Sequence, residues 1–105
     1  MKRNERIVYM TAANKKEAEK ISLILLKSRF IACANIFSIS SLYWWKNRIE
    51  KNNECAIIMK TNKSAVKKIE KVVKKIHSYE NPCLIVIPII RGSTKFLNWI
   101  NEEVR

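Results

Sequence analysis

The spacing of apolar residues along the chain predicts four strands and three helices. Residues 6–13, RIVYMTAA, form the first predicted strand. Asn14 then acts as the N-cap of a helix, because Glu17 follows three residues later in a capping-box pattern. The apolar residues of this helix share one face: Ala18, Ile21, Ile24 and Leu25. The helix is predicted to end near residues 28–30.

A long β-hairpin is predicted next. Residues 32–45, ACANIFSISSLYWW, are rich in aromatic and β-branched types, which favour strands. After a polar turn at Lys46 and Asn47, residues 48–61, RIEKNNECAIIMKT, run back with loose alternation.

The second half of the chain predicts a helix, a strand and a last helix. Asn62 caps the first of these helices, which is amphipathic and basic, with apolar positions at Val66, Ile69, Val72, Val73 and Ile76. Pro82 prevents its continuation, and residues 83–90, CLIVIPII, form a strand that contains Pro88. A proline is tolerated in a strand only on an edge or at a bulge. Gly92 and Ser93 then turn the chain into a helix with Phe96, Leu97 and Ile100 on one side.

The predicted order is β, α, β, β, α, β, α, which matches an α+β, ferredoxin-like βαββαβ sandwich with an antiparallel sheet and an additional C-terminal helix. Right-handed crossovers make the first and third strands central and leave the second and fourth as edges. The fourth strand is too apolar for a free edge, and Tyr43, Trp44 and Trp45 place aromatic rings on both faces of the second. We therefore expect other copies of the chain to cover these edges in an obligate oligomer.

Composition limits the class of protein. The 105 residues, 48% of them hydrophobic, suit a single domain over residues 1–105. The sequence shows no signal-peptide core and no membrane span, which predicts a cytoplasmic protein with no membrane association. The net charge of +12 suggests a polyanionic partner, but the lysines are spread over the whole chain, so specific nucleic-acid binding is not expected. Cys33, Cys55 and Cys83 are far apart and predicted to be reduced thiols.

Several chemistries are excluded by their missing motifs. The chain has no phosphate-binding glycine motif and no HExxH, and its only histidine is His77, so a conventional enzyme is not expected. The third strand lacks the signature of RNA recognition modules, and the first strand is not followed by the glycine-rich loop of acylphosphatase-like enzymes.

Polar and aromatic residues remain at the predicted ends of strands and helices, and each has two interpretations. His77 is either a cation at a helix C-terminus or a ligand. Glu54 and Lys60 are either a cross-strand surface pair or part of a site. Trp45 and Tyr79 belong either to a core or interface or to a ligand site.

The order of three segments resembles the CutA family of divalent-cation tolerance proteins. These segments are RFIACANIFSISSLYWW, then ECAIIMKT, then HSYENPCLIVIPIIRGSTKFLNWI, and the resemblance covers residues 7–104. It implies a ferredoxin-like homotrimer held by strand pairing between subunits, with a role in tolerance of metals, copper in particular. The family's polar cleft between subunits maps onto Cys33, Trp45, Glu54, Lys60, His77, Tyr79 and Glu80.

Departures from the family pattern affect the metal ligands. Copper-linked bacterial members have a cysteine in the first strand and two successive histidines before Pro-Tyr, where this chain has Met10, Ile76, His77 and Ser78. Met10 is still a soft donor suited to Cu(I). The resemblance therefore implies copper or another divalent cation, weakly bound by His77 and Met10. The hairpin turn reads KNR instead of the family's E-G-K, which removes a glycine from its tip.

A different class of function is also consistent with the sequence, namely a trimeric small-molecule or anion sensor, or an assembly module, without specific metal binding. PII-type signalling proteins share the fold and bind small molecules in clefts between subunits. In such a protein Lys60 and the helix-end amides would hold an anion, while Glu54, Tyr79 and Trp45 would shape the pocket.

Overall fold

A computed structural model describes residues 3–105 and confirms the predicted order of elements. The strands are β1 (Glu5–Ala12), β2 (Cys33–Trp45), β3 (Arg48–Asn62) and β4 (Leu84–Pro88), and the helices are α1 (Lys15–Lys27), α2 (Val66–Ile76) and α3 (Thr94–Glu103). All paired strands are antiparallel, so the α+β fold class is also confirmed.

The sheet has the order β2-β3-β1-β4, with the first and third strands in the centre and the other two at the edges, as predicted. Pro88 is the last residue of the edge strand β4. Its missing N–H therefore removes no hydrogen bond from the central strands of the sheet. The hairpin of β2 and β3 is paired from Cys33–Lys60 to Trp45–Arg48. Its two turn residues, Lys46 and Asn47, have φ of 50° and 64°, so a lysine adopts the left-handed conformation that a glycine would adopt more easily.

The helix starts follow the predicted capping chemistry, with one difference. The Asn14 side chain accepts a hydrogen bond from the Glu17 N–H at 2.9 Å, and the Glu17 carboxylate accepts one from the Ala13 N–H at 2.9 Å. Asn62 does not cap α2 directly. Its side chain accepts from the Ser64 N–H at 3.1 Å and caps a 3-10 turn, Lys63–Ala65, that leads into α2.

The core lies between the helices and one face of the sheet. Alternate residues of β1, Val8, Met10 and Ala12, point to this face and have no exposed surface. They pack with Ile21 and Ile69 of α1 and α2 and with further buried residues of β3 and α3. Met10 is therefore an interior side chain.

Among residues 3–105 no helix lies on the other face of the sheet, yet much of that face is apolar. We call it the open sheet face and define it by Ile7, Tyr9, Phe37, Ile58, Ile85 and Ile87. Ile85 is 52% exposed and Ile87 is 45% exposed. An antiparallel sheet with one face in water normally presents polar residues there, so this face is suited to contact with protein.

Candidate functional site

The residues predicted from the sequence as a site fall into two groups within one chain. Cys33 pairs with Lys60 at one end of the hairpin, whereas Trp45, Glu54, Tyr79 and Glu80 line a groove towards the other end. Glu54 and Lys60 are six residues apart on the same strand, so their Cα atoms lie about 20 Å apart. The two groups can share a cleft only if different subunits supply them.

The groove is open, has a volume of about 850 Å³ and is bounded by β2, β1 and residues 78–83. We call it the hairpin groove. Its lining includes five aromatic side chains, namely Tyr9, Tyr43, Trp44, Trp45 and Tyr79. Sequence reasoning did not assign Tyr9, Tyr43, Trp44 or Cys83 to the site. The aromatic run at residues 43–45 was a signal in the sequence, but nothing in the sequence indicated that Tyr9 and Cys83 line the same groove.

Glu54 is the buried acid of the groove. The residue is only 8% exposed, and its Oε2 accepts a hydrogen bond from the Tyr79 hydroxyl at 2.6 Å. Burial and the adjacent Glu54 carboxylate raise the pKa of Tyr79, so this hydroxyl stays protonated as the donor.

The interpretation of Glu54 and Lys60 as a cross-strand surface pair is wrong, because both lie in β3. The Lys60 ammonium instead donates to the Asn35 side chain. Within residues 3–105 Glu54 takes part in no salt bridge.

His77 lies directly after α2, and both of its ring nitrogens are hydrogen-bonded. Nδ1 accepts from the Tyr79 N–H at 3.0 Å, and Nε2 lies 2.8 Å from the Thr11 carbonyl oxygen. A carbonyl oxygen only accepts, so Nε2 carries the proton and the ring is the neutral tautomer. This arrangement does not suit a helix-end cation, because an imidazolium Nδ1 cannot accept the Tyr79 hydrogen bond.

The predicted metal ligands are not gathered around an open site in a single chain. Met10 has no exposed surface, and a metal at His77 would replace one of that ring's two hydrogen bonds. Over the described range, 3–105, no three or more His, Cys, Asp or Glu side chains form a group that could hold a metal ion. Metal binding by His77 and Met10 stays a prediction.

Glu17 positions the segment that carries His77 and Tyr79. Its Oε1 accepts from the Ala13 N–H at 2.9 Å and its Oε2 accepts from the Ser78 N–H at 2.8 Å. Burial alone would raise the pKa of Glu17, but the hydrogen bonds from Ala13 and Ser78 outweigh it and lower the pKa below the ordinary value of 4.5. The Glu17 carboxylate thus hydrogen-bonds both to the residue before the N-cap of α1 and to the segment that lines the groove.

Glu17→Gln is expected to destabilise the fold by about 1–2 kcal/mol near neutral pH, because an amide has only one oxygen to accept these two hydrogen bonds. Because the pKa of Glu17 is lower in the folded chain than in the unfolded chain, its carboxylate contributes stability that is present above about pH 4.5. This contribution is lost as the pH falls through the pKa of Glu17 in the folded chain. The difference between parent and variant should therefore shrink from pH 7 to pH 3, as measured by urea denaturation at fixed protein concentration.

Glu19→Gln is the matched control, since Glu19 is an exposed acid of the same helix, 3.9 Å from the Lys15 ammonium. It should change stability by less than about 0.5 kcal/mol. A Glu17→Gln variant with the parent's pH profile would contradict the proposed role of this carboxylate.

Comparison with known proteins places these features in a family. The sequence model of the CutA1 divalent ion tolerance proteins matches residues 6–103. The chain is 44% identical over 97 residues to the divalent-cation tolerance protein CutA of Archaeoglobus fulgidus, covering 92% of this chain and 95% of that protein. It is 38% identical over 98 residues to the protein of the same name from Thermotoga maritima, covering 93% of this chain and 97% of the other.

A solved structure agrees with these sequence matches. The periplasmic divalent cation tolerance protein CutA from Archaeoglobus fulgidus superposes with a TM-score of 0.94 at 42% identity, covering 96% of this chain and 99% of that one. In the part of the chain that the structure describes, no helix is long and apolar enough to cross a membrane. The cytoplasmic location inferred from the sequence stays a prediction.

Proposed function

Because the chain belongs to the CutA1 family of divalent ion tolerance proteins, we propose that it acts in tolerance of divalent cations, copper among them, as a homotrimer that binds metal weakly in or near the clefts between subunits. The observation that carries this proposal is the agreement of the family match over residues 6–103 with the name of a relative that is 44% identical to this chain.

The homotrimer is supported by the surfaces that a single chain leaves uncovered. Both edge strands and the open sheet face are apolar, and Trp44 is 72% exposed on β2. Copies arranged in a ring bury all of these surfaces in closed contacts. Such a ring also provides a cleft in which Cys33 and Lys60 of one subunit approach the hairpin groove of the next.

His77 is the proposed metal ligand, with its imidazole made available when the Tyr79 N–H releases Nδ1. One imidazole per chain and the loss of a hydrogen bond both make the binding weak. Met10 contributes only if the core opens to solvent, because its side chain is wholly buried.

The experiment is a titration of the purified protein with Cu(II), Cu(I) and Zn(II) against a competing chelator, with His77→Ala and His77→Gln as variants. We expect the affinity to fall at least about tenfold in both variants, because each removes the imidazole. His77→Gln keeps an amide that can accept and donate hydrogen bonds at the same place, so it separates ligand loss from loop disruption. Unchanged uptake in both variants would contradict the proposed ligand.

A second candidate function is small-molecule binding of the PII type, and the hairpin groove favours it. The anionic ligand expected from the sequence requires Lys60, which is remote from the groove within one chain. An anion in this cleft would therefore need Lys60 from a neighbouring subunit.

A further inference from the structure

We propose that the outer side of α1 and α2 binds the phosphate backbone of double-stranded DNA without sequence preference. The contacts are made by two rows of exposed lysines, and we call the surface that they form the lysine face. It is defined by Lys16, Lys20 and Lys27 of α1 and by Lys68, Lys71 and Lys75 of α2. The proposal does not depend on metal tolerance, because neither proposed metal ligand belongs to this face.

The two helices lie side by side and run in opposite directions. Near the start of α2, the Lys68 ammonium lies 5.6 Å from the centroid of the ring of Phe30, which follows α1. At the other end, the Ser78 N–H after α2 donates to the Glu17 carboxylate at the start of α1, at 2.8 Å. The lysines of each row recur at intervals of three, four or seven residues, so each row follows one side of its helix.

The acids of these helices do not pair with the lysine face. The Glu17 carboxylate already accepts hydrogen bonds from two backbone N–H groups. Glu19 follows Glu17 by two residues and therefore lies on the other side of α1, beside Lys15. Glu70 follows Lys68 by two residues and likewise lies on the other side of α2. Among residues 3–105 none of the six lysines takes part in a salt bridge.

Positive charge is concentrated on α2, which has five lysines and one glutamate in 11 residues. Like charges four residues apart on a helix repel each other, as Lys71 and Lys75 do on α2 and Lys16 and Lys20 do on α1. Phosphates placed over the lysine face replace this repulsion with attraction and release the counterions condensed on the DNA.

The dimensions of the lysine face are complementary to a duplex. The row from Lys16 to Lys27 extends about 16 Å along its helix. Packed helices have axes about 8–10 Å apart, so the two rows are separated by a similar distance. The grooves of a duplex are about 6–12 Å wide. One row can therefore contact each of the two phosphate strands that border a groove.

The residue types of the two helices disfavour other modes of nucleic-acid binding. Single strands are bound largely by stacking of bases on aromatic rings, and base edges are read mainly by Arg, Asn and Gln. Neither α1 nor α2 contains an aromatic residue, an Arg, an Asn or a Gln. Lysines alone contact phosphates, so binding is independent of sequence.

An anionic membrane is a poorer partner for the same surface. Helices that lie in a membrane interface bury their apolar side in the lipid. Here the apolar sides of both helices face the protein core, where Ile21 and Ile69 have no exposed surface. Within α1 and α2 the one exposed apolar side chain is that of Leu23.

The lysine face stays accessible in the proposed homotrimer. Both helices cover the core side of the sheet, which is opposite the open sheet face. Copies that cover the open sheet face and the edge strands therefore leave the lysine face in solvent, and each subunit presents one such face.

The test is fluorescence anisotropy of a labelled duplex of about 20 base pairs, titrated with the full chain in chelator at pH 7. At about 0.15 M salt we expect a Kd below about 10⁻⁴ M that is equal for two unrelated sequences. The logarithm of the affinity should fall with the logarithm of the salt concentration with a slope of about −5, since six lysines contact phosphates. A Kd above this limit, or a preference for one sequence, would overturn the proposal.

Competition identifies the partner. The same single-stranded sequence, and separately vesicles with about 30% phosphatidylserine, are added at a phosphate concentration equal to that of the duplex. We expect each competitor to displace less than half of the bound duplex. Displacement of more than half by either competitor would reject double-stranded DNA as the partner.

Lys71→Glu should weaken duplex binding at least about tenfold at about 0.15 M salt, because it replaces a phosphate contact with a repulsive charge. The new carboxylate lies four residues from both Lys67 and Lys75, which favours the helix, so a loss of binding does not come from unfolding. Lys71→Arg keeps the charge and should keep the affinity within about threefold.

Lys95→Glu is the matched control, since Lys95 is an exposed lysine of α3 outside both rows and the change in charge is the same. It should weaken binding by less than about threefold. Equal losses in Lys71→Glu and Lys95→Glu would show that binding follows the net charge of +12 and not the lysine face. A loss of more than about tenfold in Lys71→Arg would contradict an electrostatic contact.

Discussion

Ile85→Lys is expected to convert the assembled protein into a folded monomer. Ile85 lies on the edge strand β4, opposite Tyr9 on the open sheet face, and is 52% exposed in the single chain. A lysine at this position remains in water in a monomer, so the chain itself should still fold. In an assembly that buries this face the ammonium loses its hydration at every copy of the contact, which costs several kcal/mol and weakens association by more than about a thousandfold.

Leu23→Lys is the matched control for this variant. Leu23 is 51% exposed on α1, on the side of the molecule remote from the open sheet face. Sedimentation velocity at equal protein concentrations should give the parent's sedimentation coefficient for Leu23→Lys and that of a single chain for Ile85→Lys. If both variants sediment like the parent, the open sheet face is not the interface.

Met10→Ala is expected to lower the free energy of unfolding by about 2–5 kcal/mol. The Met10 side chain has no exposed surface and packs among the residues of β1, α1 and β3 that form the core. Its removal leaves a cavity that the surrounding residues fill only in part. Urea denaturation at fixed protein concentration measures the change, since association would otherwise alter the apparent stability.

Met10→Leu separates packing from metal chemistry. Leucine nearly conserves the volume, so the loss of stability should be below about 1.5 kcal/mol, while the thioether donor is removed. We expect copper uptake to equal that of the parent. Uptake reduced by Met10→Leu in a stably folded variant would instead support the thioether as a ligand.

The elements and their order could be predicted because each depends on residues close in sequence. Asn14 and Glu17 meet within one turn of helix, and the predicted caps are those observed, apart from the 3-10 turn after Asn62. The positions of the edge strands followed from the handedness of the crossovers, which is a general rule and needs no side-chain detail.

The contacts of the site could not be predicted, because they depend on register and on loops. Glu54 meets Tyr79 only after β3 pairs with β2 and β1 and the segment after α2 folds over the sheet. The same register separates Glu54 from Lys60. The bonding of His77 depends on the Thr11 carbonyl, 66 positions away, and no local pattern indicates this contact.

For Met10, the family resemblance and the pattern of residues in the strand lead to different predictions. The resemblance implied a ligand at this position, but Met10 alternates with Val8 and Ala12, which is the pattern of one buried face of a strand. All three side chains are wholly buried in the structure. The alternation of residues in β1 therefore predicts that Met10 is buried. The position of Met10 in the family pattern does not indicate this burial.

Native mass spectrometry of the metal-free protein tests the central claim most directly, which is that copies of this chain cover the open sheet face and both edges and so create the clefts. The account predicts a species with the mass of three chains, each of 12.3 kDa. A single chain of 12.3 kDa that persists at micromolar concentration would contradict it.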